Sequence, residues 1–180
     1  MSEEENLKSI FEASYQNPEQ ARQTLSSKGY SYVDELSSPD TKVFLDKAGN
    51  PHITFRGTKR VEDVGTDLLL GLGKRTKRHK EAQETVKRVR EKYQKPVSAY
   101  GHSLGGHLAE ESGANKVYTY NKAVGIKDIF KKLPSTQTDI RTTKDIISLP
   151  SLFQSGSKKK TIKSPFVQDI LKAHSLSSLK

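Results

Sequence analysis

Apolar residues in the first third of the chain are spaced three or four apart at first, and then alternate with polar ones. Helical spacing of Leu7, Ile10 and Phe11 predicts a short amphipathic helix, and Asn17-Pro18 is typical of the start of a second. The elements predicted here are a helix near the N-terminus, a helix at 18–28, a strand at 30–36, and strands at 43–46 and 52–55 on either side of a turn. Residues 1–40 thus hold N-terminal helices and a strand.

Farther along, helix-like and strand-like patterns alternate. Apolar residues between His79 and Tyr93 step by four, three and four, which defines one face of a helix. The predicted elements are helices at 79–93, 108–112 and 126–133, strands at 97–100 and 117–120, extended segments at 140–143 and 146–149, and a helical stretch from Ser164-Pro165 through Leu171. Such alternation predicts an α/β fold with a mostly parallel sheet, and 180 residues suit one domain spanning 1–180.

The charge is unevenly distributed. Thirty-one Lys and Arg against 21 Asp and Glu give a net charge of +10, with the excess concentrated between Lys74 and Lys95 and again between Lys158 and Lys163. Clusters of this kind attract the phosphates of nucleic acid or of an anionic lipid surface. The alternative is an ordinary solvated surface that keeps the protein soluble.

Several protein classes are excluded by composition. No run approaches the roughly 18 apolar residues that span a bilayer. The acidic start MSEEENLKS does not have the form of a secretory signal, so we expect the protein in the cytoplasm of the producing cell. Without cysteine, neither a disulfide nor a thiolate metal site can form.

The segment Gly101-His102-Ser103-Leu104-Gly105 fits the pattern Gly-x-Ser-x-Gly. A strand candidate ends just before it and a helix-compatible run follows Gly106. A nucleophile on a sharp strand-to-helix turn needs small residues on both sides, and the turn places the next amide at a helix N-terminus, where an oxyanion is stabilised. A simple glycine-rich turn is the alternative.

With Gly106, this segment resembles the nucleophile elbow of the class 3, or fungal-type, lipases of the α/β-hydrolase superfamily. Three more segments resemble the same family in the same order: 53–58 with Asp67-Leu68, 117–125, and Arg141 with 145–150. The resemblance covers about 50–175. It implies a minimal hydrolase fold without a cap domain, although His107 stands where the family has a small residue and the proline usual before Val124-Gly125 is absent.

The resemblance implies a serine esterase or lipase with a Ser-Asp-His triad. Ser103 would be the nucleophile and Asp145 the acid. The base follows the acid in this fold, and His174 is the one histidine after Asp145. The amides of Thr58 and Leu104 would hold the oxyanion. An ordinary surface histidine near a frayed terminus is the alternative for His174.

The similar lipases carry a mobile lid after the oxyanion loop, where this chain has Leu68-Leu69-Leu70-Gly71-Leu72-Gly73. Leu69, Leu70 and Leu72 are candidate substrate or lid residues that would enter a lipid surface while Lys74, Arg75, Lys77 and Arg78 pair with headgroups. The alternative is that these leucines belong to the core. Under the lid hypothesis the substrate is an acyl ester at an anionic interface. Phospholipid is then favoured, while triglyceride and soluble ester remain open.

The basic runs and the histidines suggest other functions. A catalytically weak hydrolase fold that binds nucleic acid or membrane through its basic face is the alternative, but no nucleic-acid motif is present and aromatic residues do not interleave with the basic runs. His102, His107 and Glu110 match no zinc spacing, so we expect neither a metal nor an organic cofactor. Similar shortened domains occur in viruses, which adds virion association as an expectation; the oligomeric state stays open.

Overall fold

A seven-stranded sheet forms the centre of the computed structural model, which describes residues 3–58, 76–142 and 149–162. The strands, in spatial and chain order, are β1 (Ser31–Tyr32), β2 (Thr41–Leu45), β3 (Pro51–Phe55), β4 (Ser98–His102), β5 (Lys116–Tyr120), β6 (Gln137–Thr142) and β7 (Lys158–Ile162). The α-helices of the described ranges are α1 (Glu3–Ala13), α2 (Pro18–Ser27), α3 (Lys77–Tyr93) and α4 (Leu104–Glu111).

The pairing of the strands brings the carboxyl ends of five of them to one edge. β1, β2 and β3 pair antiparallel, whereas β3 to β7 are parallel. Phe55 in β3 lies opposite Gly101 in β4, which lies opposite Thr119 in β5. The backbone that follows β3 therefore leaves the sheet beside the backbone that follows β4. Functional groups of open α/β sheets gather at this edge.

Each face of the sheet has its own core. On one face, Val43 and Phe55 pack with Val86 of α3 and residues of α4. On the other face, Phe44 and Tyr120 pack with helices α1 and α2. Successive residues of a strand point to opposite faces, so the neighbours Val43 and Phe44 serve different cores. No helix in the described parts of the chain is both long and apolar enough to cross a bilayer.

The sequence predicted the first three helices and most strands. The Asn17 side chain caps α2 by accepting the amide of Gln20, as its position before Pro18 indicated. Helix α3 ends at a left-handed Gln94. The predicted α/β architecture with a mostly parallel sheet is confirmed. Helix α4 begins at Leu104, four residues earlier than predicted, because the glycines at 105 and 106 are helical.

Two local predictions were wrong, and one strand was not predicted. The segment 34–36 is a turn of 3₁₀-helix rather than strand. The predicted helix 126–133 is a single 3₁₀ turn, Ile126–Asp128, because the backbone at 131–133 pairs with Ser155 instead. The lysine-rich segment 158–162, which carried no strand pattern, forms β7. Lysines on an edge strand discourage pairing with another chain.

Candidate functional site

Ser103 occupies the turn between β4 and α4, with a left-handed backbone at φ 53° and ψ −123°. The turn is fixed on both sides: the Ser103 amide donates to the Tyr120 carbonyl at 3.1 Å, and the Ser103 carbonyl accepts from Gly106 at 3.0 Å. A residue other than glycine in such a conformation costs about 1–3 kcal/mol and persists where its surroundings impose it. The backbone at Ser103 is thus strained and held by hydrogen bonds.

The two glycines of the Gly-x-Ser-x-Gly segment allow this turn to close. A Cβ on Gly101 would lie 2.0 Å from the Gly105 carbonyl oxygen, and one on Gly105 would lie 2.2 Å from the Phe55 carbonyl oxygen. A side chain at Gly101 or Gly105 would therefore force the neighbouring backbone to move. The end of β3 therefore touches the first turn of α4 directly, which brings the segment 56–58 next to Ser103.

Two hydroxyls in these adjacent segments have no hydrogen-bond partner among the described residues. They are Ser103 Oγ, on a residue that is 7% exposed, and Thr58 Oγ1. Buried polar atoms are nearly always paired, and an exception calls for a reason such as a role in catalysis or ligand binding. The Leu104 amide lies in the first turn of α4, where amides have no partner within the helix and the helix dipole favours negative charge.

Tyr15, in the turn after α1, links these two segments. Its hydroxyl lies 2.6 Å from His102 Nδ1, beside Ser103, and accepts a hydrogen bond from the Gly57 amide. A Cβ on Gly57 would lie 2.3 Å from the Tyr15 hydroxyl and 2.6 Å from the His102 carbonyl oxygen. Burial raises the pKa of Tyr15 above its usual range, so the hydroxyl stays neutral at ordinary pH. Sequence reasoning missed Tyr15, because only the tertiary fold brings it within reach of His102.

The structure describes some of the predicted site residues and not others. Ser103 and Leu104 lie in the turn after β4, and Thr58 lies in the segment after β3, at the same edge of the sheet. Their roles as nucleophile and oxyanion donors stay predictions. Asp145 and His174 lie outside the described residues, and so do the lid candidates Leu69, Leu70 and Leu72.

Comparison with known proteins matches residues 6–143 to a family described as Tle-like phospholipase domain. The chain belongs to this family. The match covers well over half of the 180 residues and includes the Ser103 turn, the segment 56–58 and α3. The chain therefore shares the family's domain across most of its length.

Solved structures place this Tle-like phospholipase domain in the α/β-hydrolase fold of lipases. A fungal lipase in complex with an inhibitor, from a study of interfacial activation, superposes with a TM-score of 0.54 at 16% identity, covering 84% of this chain and 75% of the lipase. A Rhizomucor miehei lipase–propeptide complex carrying a deletion gives a TM-score of 0.56 at 14% identity, covering 91% of this chain and 69% of that one. No curated protein sequence matches the chain.

Charged side chains surround the domain's segment 56–58. Arg78, at the start of α3, donates to the Arg56 carbonyl oxygen at 2.5 Å, and the Arg56 guanidinium pairs with Asp40. Lys42 of β2 is fully buried beside them and donates to the Pro39 carbonyl oxygen at 2.5 Å. Burial, reinforced by Arg56 and opposed by Asp40, lowers the pKa of Lys42 to about 8.

Replacing Lys42 is expected to stabilise the protein near neutral pH. The lysine binds a proton more weakly in the folded state than in the unfolded state, so its contribution to stability rises with pH between about 8 and 10.5. Below pH 8 the burial penalty is complete. Lys42→Met should raise the free energy of unfolding by about 1 kcal/mol at pH 7, and urea titrations should show a smaller gain at pH 9.5. A gain that is the same at both pH values would contradict this account.

A second buried charge cluster lies under α4. Lys122 Nζ lies 2.5 Å from Glu110 Oε2 and 3.4 Å from Asp139 Oδ1, with all three side chains at most 6% exposed. The Gln137 amide donates to both carboxylates, at 3.0 and 2.8 Å. Thr119 Oγ1 also donates to Asp139. These groups connect α4, which begins at the Ser103 turn, to β5 and β6.

The histidines of the rejected metal hypothesis have other neighbours. His107 is buried with its ring edge-on to that of His79, at a centroid distance of 5.3 Å. Burial, opposed by Glu110, lowers the pKa of His107, which favours the neutral ring. In the described parts of the chain, no group of three or more His, Cys, Asp and Glu is arranged to hold a metal ion.

A surface cavity of about 420 Å³ lies between α3 and the segment 35–41. Phe55, Arg78, Arg88 and Leu108 contribute to its wall, whereas Ser103 and Thr58 do not. The cavity therefore adjoins the base of the segment 56–58 without opening onto the Ser103 hydroxyl.

Proposed function

We propose that this Tle-like phospholipase domain is a serine carboxylic-ester hydrolase that cleaves acyl esters, with phospholipid as the favoured substrate. The observation that carries the proposal is the buried hydroxyl of Ser103 on a strained turn, which has no hydrogen-bond partner among the described residues. The Thr58 hydroxyl, in the adjacent segment, also has none there. Family membership and the fold shared with lipases support a lipolytic hydrolase.

In the proposed mechanism, His174 takes the proton of Ser103 as Oγ attacks the ester carbonyl. Asp145 holds the imidazole in the required tautomer and stabilises the imidazolium. The amides of Thr58 and Leu104 stabilise the negative charge on the carbonyl oxygen, with the Thr58 hydroxyl as a third donor. The alcohol leaves with the proton from His174, and water then hydrolyses the acyl-enzyme by the same route in reverse.

The distribution of charged side chains bears on which surface the protein binds when it meets its substrate. Part of the basic surface has partners within the fold: Lys77 and Lys87 form i,i+4 pairs with glutamates on α3, and Lys160 pairs with Glu4. These pairs reduce the free positive charge that is available to any anionic partner. We propose that an anionic membrane surface is the partner, with Leu69, Leu70 and Leu72 as the contact.

The triad is tested by hydrolysis of long-chain phosphatidylglycerol vesicles and of soluble p-nitrophenyl esters. Asp145→Asn and His174→Ala are each expected to lower kcat by about 10³-fold or more on both substrates. Asp128→Asn, in the loop after β5, is the matched control and should keep wild-type activity.

Full activity in the His174 variant would remove this residue as the base. An inactive wild-type protein that binds DNA with a steep salt dependence would favour the nucleic-acid alternative instead.

A further inference from the structure

Three cations and one paired carboxylate lie together beside the segment 56–58. The guanidinium of Arg56 pairs with Asp40, while Arg78 donates to backbone and Lys42 is buried behind them. Glu81 is within electrostatic range of Arg78, but its carboxylate pairs with Lys77 at 3.6 Å. Among the described residues, positive charge is therefore in excess next to the proposed oxyanion site.

The backbone that carries Arg56 lies directly against the Ser103 turn. A Cβ on Gly105 would lie 3.0 Å from the Arg56 carbonyl carbon, and Arg78 binds the oxygen of that same carbonyl at 2.5 Å. On the other side, Gly57 meets the His102 carbonyl. Both arginines also lower the pKa of Tyr15, whose hydroxyl is bound to His102, so both guanidinium groups lie within electrostatic range of that hydroxyl.

The cluster also has hydrogen-bond donors that no other described residue uses. Arg56 Nε is buried and has no hydrogen-bond partner among the described residues. The Arg78 guanidinium, which carries five N–H groups, makes one hydrogen bond that the structure describes, to the Arg56 carbonyl. Planar guanidinium groups match the geometry of phosphate oxygens and bind them in pairs.

We infer that Arg56 and Arg78 form an anion subsite that receives the phosphate of a glycerophospholipid while its acyl ester lies at Ser103. In such a lipid the phosphate is only a few bonds from the acyl ester, so a subsite at the rim of the segment 56–58 is within reach. The inference rests on the proposed function and deepens it: it assigns selectivity for phospholipid over neutral glyceride to two named side chains.

The test compares two water-soluble substrates with the same acyl chains, dibutanoyl phosphatidylglycerol and tributanoylglycerol, below their aggregation limits so that no membrane is involved. Arg78→Gln should lower kcat/KM on the phospholipid about 10- to 100-fold more than on the glyceride. Arg78→Lys should recover part of the loss. Arg88→Gln, on an exposed arginine of the same helix, is the matched control and should leave the ratio of the two activities unchanged.

Binding is measured separately by calorimetry, with dibutanoyl phosphatidylglycerol added to the Ser103→Ala protein. Affinity should fall about tenfold or more when Arg78→Gln is added. Equal losses on both substrates would show that Arg78 only holds the segment 56–58, and they would overturn the inference, as would unchanged affinity. A wild-type protein that hydrolyses neither substrate contradicts the proposed function instead, and the calorimetry still decides the subsite.

Discussion

Replacing Ser103 by glycine is expected to abolish ester hydrolysis and at the same time to stabilise the protein. Loss of the nucleophile should lower kcat by about 10⁴-fold or more. Glycine adopts a φ of 53° without strain, so the free energy of unfolding should rise by about 1 kcal/mol. Hydrolysis of p-nitrophenyl butyrate and urea unfolding measure the two effects in the same preparation.

Ser103→Ala is the matched variant, because it removes the same hydroxyl and keeps a Cβ on the strained backbone. It should be as inactive as the glycine variant but should not gain its stability. If both variants keep appreciable activity, Ser103 is not the nucleophile. If both are equally stable, the turn carries no strain that glycine can relieve.

Replacing Lys122 is expected to have the largest effect on stability. Lys122→Met leaves the buried carboxylates of Glu110 and Asp139 without the cation they share. Hydrogen bonds from Gln137 and Thr119 remain, and so does the ion pair of Glu110 with Lys131. Breaking a buried ion pair by removing one partner costs about 3–5 kcal/mol. Domains of this size are typically stable by about 5–15 kcal/mol, so the variant should unfold at a much lower urea concentration.

The double variant Glu110→Gln, Lys122→Met controls for the lost charge. It should recover part of the stability, since a carboxylate that has lost one of its two lysine partners becomes neutral. Burial tends to raise the pKa of Glu110, but Lys122, Gln137 and Lys131 outweigh it and lower the pKa to about 2. Its stabilising effect is therefore complete above pH 4.5 and is lost as the pH falls toward 2. A double variant no more stable than Lys122→Met would contradict the role of the pair.

Periodicity in the sequence predicted the elements that carry a clear apolar face. Helix α3 and strands β2, β3 and β5 follow this rule, because their apolar residues meet a core. The segment 126–133 has apolar residues at helical spacing, but hydrogen bonds to Ser155 hold its backbone in another form. β7 is built from lysines at an exposed edge, so no local pattern marks it.

The candidate site was predictable where its chemistry is local. The turn at Ser103 needs its two glycines for steric reasons, and those glycines are visible in the sequence. Tyr15 and Lys122 have no comparable signal, because their partners are distant in the chain. Lysine and glutamate are ordinary surface residues, and only the folded structure shows that Lys122 and Glu110 are buried together. The roles of Asp145 and His174 stay predictions from the resemblance.

The Tyr15 contact makes enzymatic competence depend on the completed fold. Residues 15 and 102 are 87 positions apart, and closing so long a loop costs entropy that only the packing of α1 against the sheet can offset. A chain in which α1 has not packed against the sheet would lack the Tyr15 hydroxyl that binds the Gly57 amide and lies against His102. We therefore expect turnover to begin only when the ends of this loop have met, so the appearance of activity during refolding would report that this long-range contact has formed.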